Sequence, residues 1–160
     1  MKREGLTRIL FVCTGNLCRS PIAEGILRVR LLDAGLADDG LVDSAGIHAA
    51  LGRAPEPLAV TVAAEYEADI SPLSSRPFES LDFDRFDHLI AMDLGHLDFL
   101  RATRPPACAA DITLLLDDVG DFKKLEIPDP YRRNIDAYGF SARLINVGID
   151  FLMQRLFPRD

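Results

Sequence analysis

Nine residues, Cys13-Thr14-Gly15-Asn16-Leu17-Cys18-Arg19-Ser20-Pro21, combine a nucleophile, an anion-holding arginine and a turn that can bring them together. They follow an apolar run, Ile9-Leu10-Phe11-Val12, and precede a helical pattern starting near Ile22. A cysteine six positions before an arginine at a strand-to-helix turn suits the capture of a phosphate-like anion. The backbone N–H groups of such a loop turn inward, and the helix N-terminus behind it adds positive dipole character. Thr14, Gly15, Asn16, Leu17, Cys18, Arg19 and Ser20 are therefore the expected phosphate-binding residues, with Arg19 gripping two oxygens through its planar fork. Cys13 is expected beneath the anion, in a field that favours thiolate over thiol. A cysteine ending a strand can also be a small core hydrophobe. The cues around Cys13 nevertheless agree on one geometry. Gly15 permits conformations other residues resist, and Asn16 tolerates left-handed backbone. Ser20 followed by Pro21 reads as an N-cap and first helical residue, although Ala23 rather than Glu leaves the capping box incomplete.

A thiolate that displaces an aryloxide or alkoxide from phosphorus is helped by a proton donor. Asp129, set between Pro128 and Pro130 in a stiff, extended loop, is the candidate, although Pro-Asp-Pro alone is ordinarily a turn.

The segment Val12 to Glu24, Val-Cys-Thr-Gly-Asn-Leu-Cys-Arg-Ser-Pro-Ile-Ala-Glu, resembles the signature of low-molecular-weight protein tyrosine phosphatases. The likeness continues through Asp43-Ser44-Ala45-Gly46, Ile90-Ala91-Met92-Asp93 and Ile127-Pro128-Asp129-Pro130-Tyr131-Arg132, in the family's order. It implies a cysteinyl-phosphate mechanism with Cys13, Arg19 and Asp129 as catalytic residues, and neither a metal nor a cofactor. It also implies that Asn16, Ser20 and Ser44 support the loop and that Tyr131, Leu17 and Leu51 form the substrate wall. Cys18 takes the place of the family's backdoor thiol, which shields the nucleophile through a reversible disulfide. Two departures stand out: no bulky aromatic lies among His48, Ala49, Ala50 and Leu51, and Leu73 stands where many relatives carry a loop-bracing histidine. Related arginine phosphatases carry threonine at the position of Leu17, so leucine favours a phenyl ring and phosphotyrosine. The Asp-Pro-Tyr-Arg run is similar to the bacterial branch paired with tyrosine kinases of polysaccharide export. An arsenate reductase needs two further cysteines as an electron relay, and only Cys108 follows Cys18. A module that merely binds phosphotyrosine would leave Asp129 unexplained.

The elements that must position these residues read as an α/β fold: a three-layer, flavodoxin-like sandwich with a four-stranded parallel sheet of order 2-1-3-4. Strands are expected at Arg8–Val12, Leu41–Ala45, His88–Met92 and Ile112–Leu116. Helices are expected at Pro21–Ala34, at Glu56–Glu67, from a cap at Asp93 through Arg101, and at Ile135–Phe157, with Gly35 stopping the first. Ile70 to Asp84 reads as a polar connection. His88 and His96 lack the close partners of a metal site, and Asp117, Asp118 and Asp121 lack the calcium-loop pattern, so solvated acids are expected there.

Composition sets the outer bounds. At 160 residues the chain reads as one domain over residues 1–160. A net charge of −7 argues against nucleic acid and against an anionic membrane surface, yet allows a local positive pocket. No run is long enough to span a membrane, and the start is too briefly apolar for a signal peptide. Three cysteines without framework spacing fit the cytoplasm. The expected assembly is a monomer or weak dimer.

Overall fold

The computed structural model describes residues 5–120 and 125–159. Its centre is β1 (Thr7–Cys13), whose uninterrupted apolar run pairs in parallel with β2 (Gly40–Gly46) on one side and β3 (His88–Ala91) on the other. β4 (Asp111–Leu114) pairs with β3 and completes a four-stranded sheet of order β2-β1-β3-β4. Alternation along β1 divides the core. Ile9, Phe11 and Cys13 face a cluster containing Ile22, Ile26, Ile145 and Ile149, while Leu10 and Val12 face one containing Leu89, Leu97 and Leu100. Both faces of the sheet are therefore covered, as a parallel sheet requires.

α1 (Arg19–Asp33) and the long α5 (Ile135–Leu156) pack together over the first cluster, joined by α2 (Pro57–Ala64). α4 (Leu94–Thr103) packs over the second, on β3 and β4. Gly35 ends α1 at φ +73°, and the N–H of Leu36 reaches back to Leu31 O at 2.8 Å, closing the helix with a glycine-dependent cap.

Four local readings need correction. α1 begins at Arg19 with Cys18 in the N-cap position and no side-chain cap, so Ser20 does not cap the helix; its hydroxyl is spent on Cys13 and Asn16. The expected loop before β3 contains a short helix, α3 (Asp82–Arg85), seated on the fully buried Asp82. The last strand stops at Leu114, because Asp117 turns back to accept the Leu114 N–H at 3.0 Å and starts a 3-10 turn over Leu115–Asp118. Asp118 likewise is not free in solvent but takes Arg155 at 2.8 Å; Asp121 lies outside the described residues. Among the described residues no helix is long and apolar enough to cross a membrane.

Candidate active site

β1 delivers Cys13 at its carboxyl end, beside the point where the chain order of the sheet reverses, and the loop turns at once into α1. Asn16 makes that turn with φ +57°, a left-handed conformation its short amide tolerates. Because α1 has no side-chain cap, its first N–H groups are available to an oxyanion.

Behind the loop lies a chain of buried polar groups. Asn16 Nδ2 donates to Ser20 Oγ at 2.8 Å and to Ser44 Oγ at 2.9 Å, while Asn16 Oδ1 accepts the Arg76 N–H at 3.0 Å. Each serine oxygen thus accepts from the same amide, and each hydroxyl proton must point elsewhere. Ser44 sends its proton to Glu24 Oε1 at 2.8 Å, and Ser20 faces Cys13 Sγ at 2.9 Å with its proton free for the sulfur. Glu24 is 2% exposed and its other oxygen meets Arg28 at 2.6 Å. Burial pushes the Glu24 carboxyl above its ordinary range, with Arg28 and Ser44 pulling the other way. Leu73 packs against the core, and Arg76, whose guanidinium is held by Asp43 and Asp82 at 3.0 Å each, donates its backbone N–H to Asn16.

Arg19 is 3% exposed and aimed across the loop. Its Nη1 donates to Asp93 Oδ2 at 2.8 Å and to Ile127 O at 3.0 Å, and its Nη2 stands 3.6 Å from Asp129 Oδ2. Asp93 caps α4 with its second oxygen, which accepts the His96 N–H at 3.0 Å. Burial alone would raise the Asp93 carboxyl, but Arg19 and the helix N–H hold it below its usual range. Sequence reasoning found Asp93 only as a cap; nothing in one sequence signals that its other oxygen positions an arginine 74 residues earlier. His96 was weighed only as a metal ligand, and its contact with the loop was missed. It is 1% exposed, and its Nε2 lies 2.8 Å from Thr14 Oγ1.

Asp129 projects from a loop anchored from both sides. The Ile127 N–H donates to Met92 O at 2.8 Å, and Ser141 Oγ donates to Pro128 O at 2.7 Å. Asp129 Oδ1 accepts the Tyr131 N–H at 3.1 Å, which leaves Oδ2 toward Arg19. The structure thus brings Cys13, Arg19 and Asp129 to one place, with Ser20, Asn16 and Ser44 behind them. Tyr131 is 39% exposed, with the Arg132 guanidinium 5.3 Å from its ring centre. Leu17 is buried, whereas Leu51 is 80% exposed beside a cleft bordered by Asp43, Arg76 and Arg85. Cys18 is buried with its sulfur 3.4 Å from Tyr138 Oη, and burial pushes its thiol up to about 12.

A cysteine at the end of the central strand, an arginine held by Asp93 and Ile127 O and a carboxyl within reach of that arginine suit attack on a tetrahedral oxyanion. The family model for low molecular weight phosphotyrosine protein phosphatase matches residues 8–158. The chain belongs to the low-molecular-weight phosphotyrosine protein phosphatase family. It is 39% identical over 137 residues to the low molecular weight protein-tyrosine-phosphatase of Streptomyces coelicolor, covering 82% of each chain. It is 32% identical over 148 residues to the probable phosphatase EpsP of Ralstonia nicotianae, covering 92% of this chain and 94% of that one. The solved Wzb of Vibrio vulnificus, in complex with benzylphosphonate, superposes with a TM-score of 0.82 at 29% identity, over 95% of this chain and all of that one.

One glycine of this phosphatase holds the loop by contact alone. A Cβ at Gly46 would meet Thr14 O at 2.5 Å, Ala49 Cβ at 2.8 Å and Asn16 N at 2.9 Å. Two of these are backbone atoms of the Cys13–Ser20 loop, so the loop itself must shift to admit a methyl group. Gly46→Ala is expected to lower kcat/KM by at least about tenfold, since small misplacements of reacting groups are costly, and to destabilise the fold by about 1–3 kcal/mol. Steady-state kinetics with urea denaturation checks this; unchanged kinetics would show that the loop is not so constrained.

Proposed function

We propose that this phosphatase hydrolyses phosphotyrosine in proteins through a cysteinyl-phosphate intermediate. The observation that carries the reading is that Arg19, pinned by Asp93 and Ile127 O, also reaches toward Asp129 at 3.6 Å. One guanidinium thereby relates the anion site to the acid. In the first step the Cys13 thiolate forms an Sγ–P bond as the P–O bond to the tyrosyl oxygen breaks, and protonated Asp129 gives that oxygen its proton. In the second step water attacks phosphorus, Asp129 takes the water's proton, and the S–P bond breaks to release phosphate. Arg19 and the N–H groups from Thr14 to Ser20 hold the equatorial oxygens throughout. The arriving phosphoryl group replaces the Arg19–Asp129 contact and frees Oδ2 for the leaving oxygen.

Tyr131 and Leu17 offer an apolar border suited to a phenyl ring, and Leu51 is the further wall candidate. The complex of the related Wzb with benzylphosphonate supports an aromatic leaving group. Kinship with EpsP and Wzb supports a substrate among tyrosine kinases of polysaccharide export, met in the cytoplasm by a monomer or weak dimer. Cys18 serves as the resolving thiol: once peroxide has converted Cys13 to the sulfenic acid, Cys18 displaces water and closes a disulfide.

Peptides carrying phosphotyrosine, phosphoserine or phosphoarginine in one sequence context test the substrate class. Phosphotyrosine is expected to exceed the others in kcat/KM by on the order of 10², as a shaped apolar border allows. A preference for phosphoarginine would overturn the reading.

A further inference from the structure

Among the described residues, one imidazole touches the Cys13–Ser20 loop from outside. His96, in the first turn of α4, accepts the Asp93 N–H on Nδ1 at 3.3 Å. A ring nitrogen that accepts carries no proton, so in the neutral ring the proton sits on Nε2. Nε2 lies 2.8 Å from Thr14 Oγ1, so Nε2–H donates and the hydroxyl accepts. The proton of Thr14 is then committed to some other acceptor, and Thr14 is the exposed residue of the loop, next to the nucleophile. Burial keeps the ring neutral, pulling it down to about 4 despite the nearby Asp93 carboxylate.

We propose that His96 is a positioning residue for phosphoryl transfer, fixing the Thr14 hydroxyl as a hydrogen-bond donor to the oxyanion seated in the loop. The first turn of α4 then holds both ends of the loop, Arg19 through Asp93 and Thr14 through His96. A donor set in advance stabilises developing charge without reorganising, whereas a freely rotating hydroxyl must first be turned. The inference rests on the reading of this loop as the site of phosphoryl transfer.

Nδ1 also stands 3.1 Å from Asp93 Oδ1. A proton on Nδ1 would use that contact, make Nε2 an acceptor and draw the Thr14 proton away from the site. The two arrangements are told apart by long-range 1H–15N spectra of the resting, 15N-histidine-labelled protein. A protonated Nε2 on His96 is expected; a protonated Nδ1 overturns the proposal without touching the phosphatase reading. Kinetics on p-nitrophenyl phosphate supply the second arm. Thr14→Val and His96→Leu are each expected to lower kcat by roughly tenfold, the size of one neutral hydrogen bond, and the double variant by no more than either, because His96 acts through Thr14. His96→Gln, which keeps an N–H at the end of the side chain and a cap-competent residue at this helical position, is expected to restore most of kcat. Losses that multiply, or full kcat in Thr14→Val, whose exposed position spares the fold, would overturn the proposal. Absence of turnover in the unaltered protein would instead sink the phosphatase reading.

Discussion

Cys13→Ser is expected to leave no measurable turnover of p-nitrophenyl phosphate, a loss of at least about 10⁴-fold, with the fold intact. The size of the loss follows from what surrounds the sulfur. Its polar side-chain partner is the Ser20 hydroxyl at 2.9 Å, which stabilises a thiolate but is too weak a base to activate a serine. The His96 imidazole, which touches the loop from α4, is committed to Thr14 and to the Asp93 N–H. A hydroxyl at position 13 would therefore stay a hydroxyl. Packing changes little, since oxygen replaces sulfur at a site 3% exposed. Rapid acid quench should trap phosphoenzyme in the parent and none in the variant, while phosphate still binds to both. Activity within tenfold of the parent would remove Cys13 from the chemistry.

Asp129→Asn comes next in size, with kcat on aryl phosphates falling by about 10²–10⁴. The two half-reactions should not suffer equally. p-Nitrophenolate leaves without much help, so phosphorylation of Cys13 is spared, whereas water still needs a base to attack the phosphoenzyme. The variant is expected to release a burst of p-nitrophenolate close to one per site and then to run slowly. Phosphotyrosine, a poorer leaving group, should show no burst. Thermal stability is expected to change little, because the contact to Arg19 is 3.6 Å long and the Asp129 side chain 51% exposed. Equal kcat in both proteins would assign the acid elsewhere.

These two residues were legible in the sequence for different reasons. Cys13 announces itself locally: an apolar run that can only be a buried strand ends at a glycine-bearing turn and a helix start. Asp129 carries no local signal beyond a stiff turn, and its candidacy came from the family pattern. The sheet order followed in the same way from apolar runs alternating with helical periods. What stayed hidden depends on contacts between distant segments. Ser20 has the residue type of a cap, yet Cys13 and Asn16 claim its hydroxyl, a competition that composition does not display. α3 is one turn long and depends on Asp82 being buried beneath Arg76, 6 residues earlier, so no periodicity marks it. His96 sits three residues after an N-cap aspartate, a capping signal in itself, but its reach to Thr14 spans 82 residues.

The pairing of β1 with β3 has a bearing on how the site is born. Translation delivers the thiol early, while the strand that flanks it, the aspartate that steadies Arg19 and the loop bearing Asp129 are all made much later. Such non-local pairings form slowly, because a long intervening segment must first be closed. A nascent chain that has passed Ser20 thus carries Cys13 and Arg19 without the Asp93 carboxylate that fixes the arginine or the loop that bears Asp129, and the arrangement is complete only near the end of synthesis.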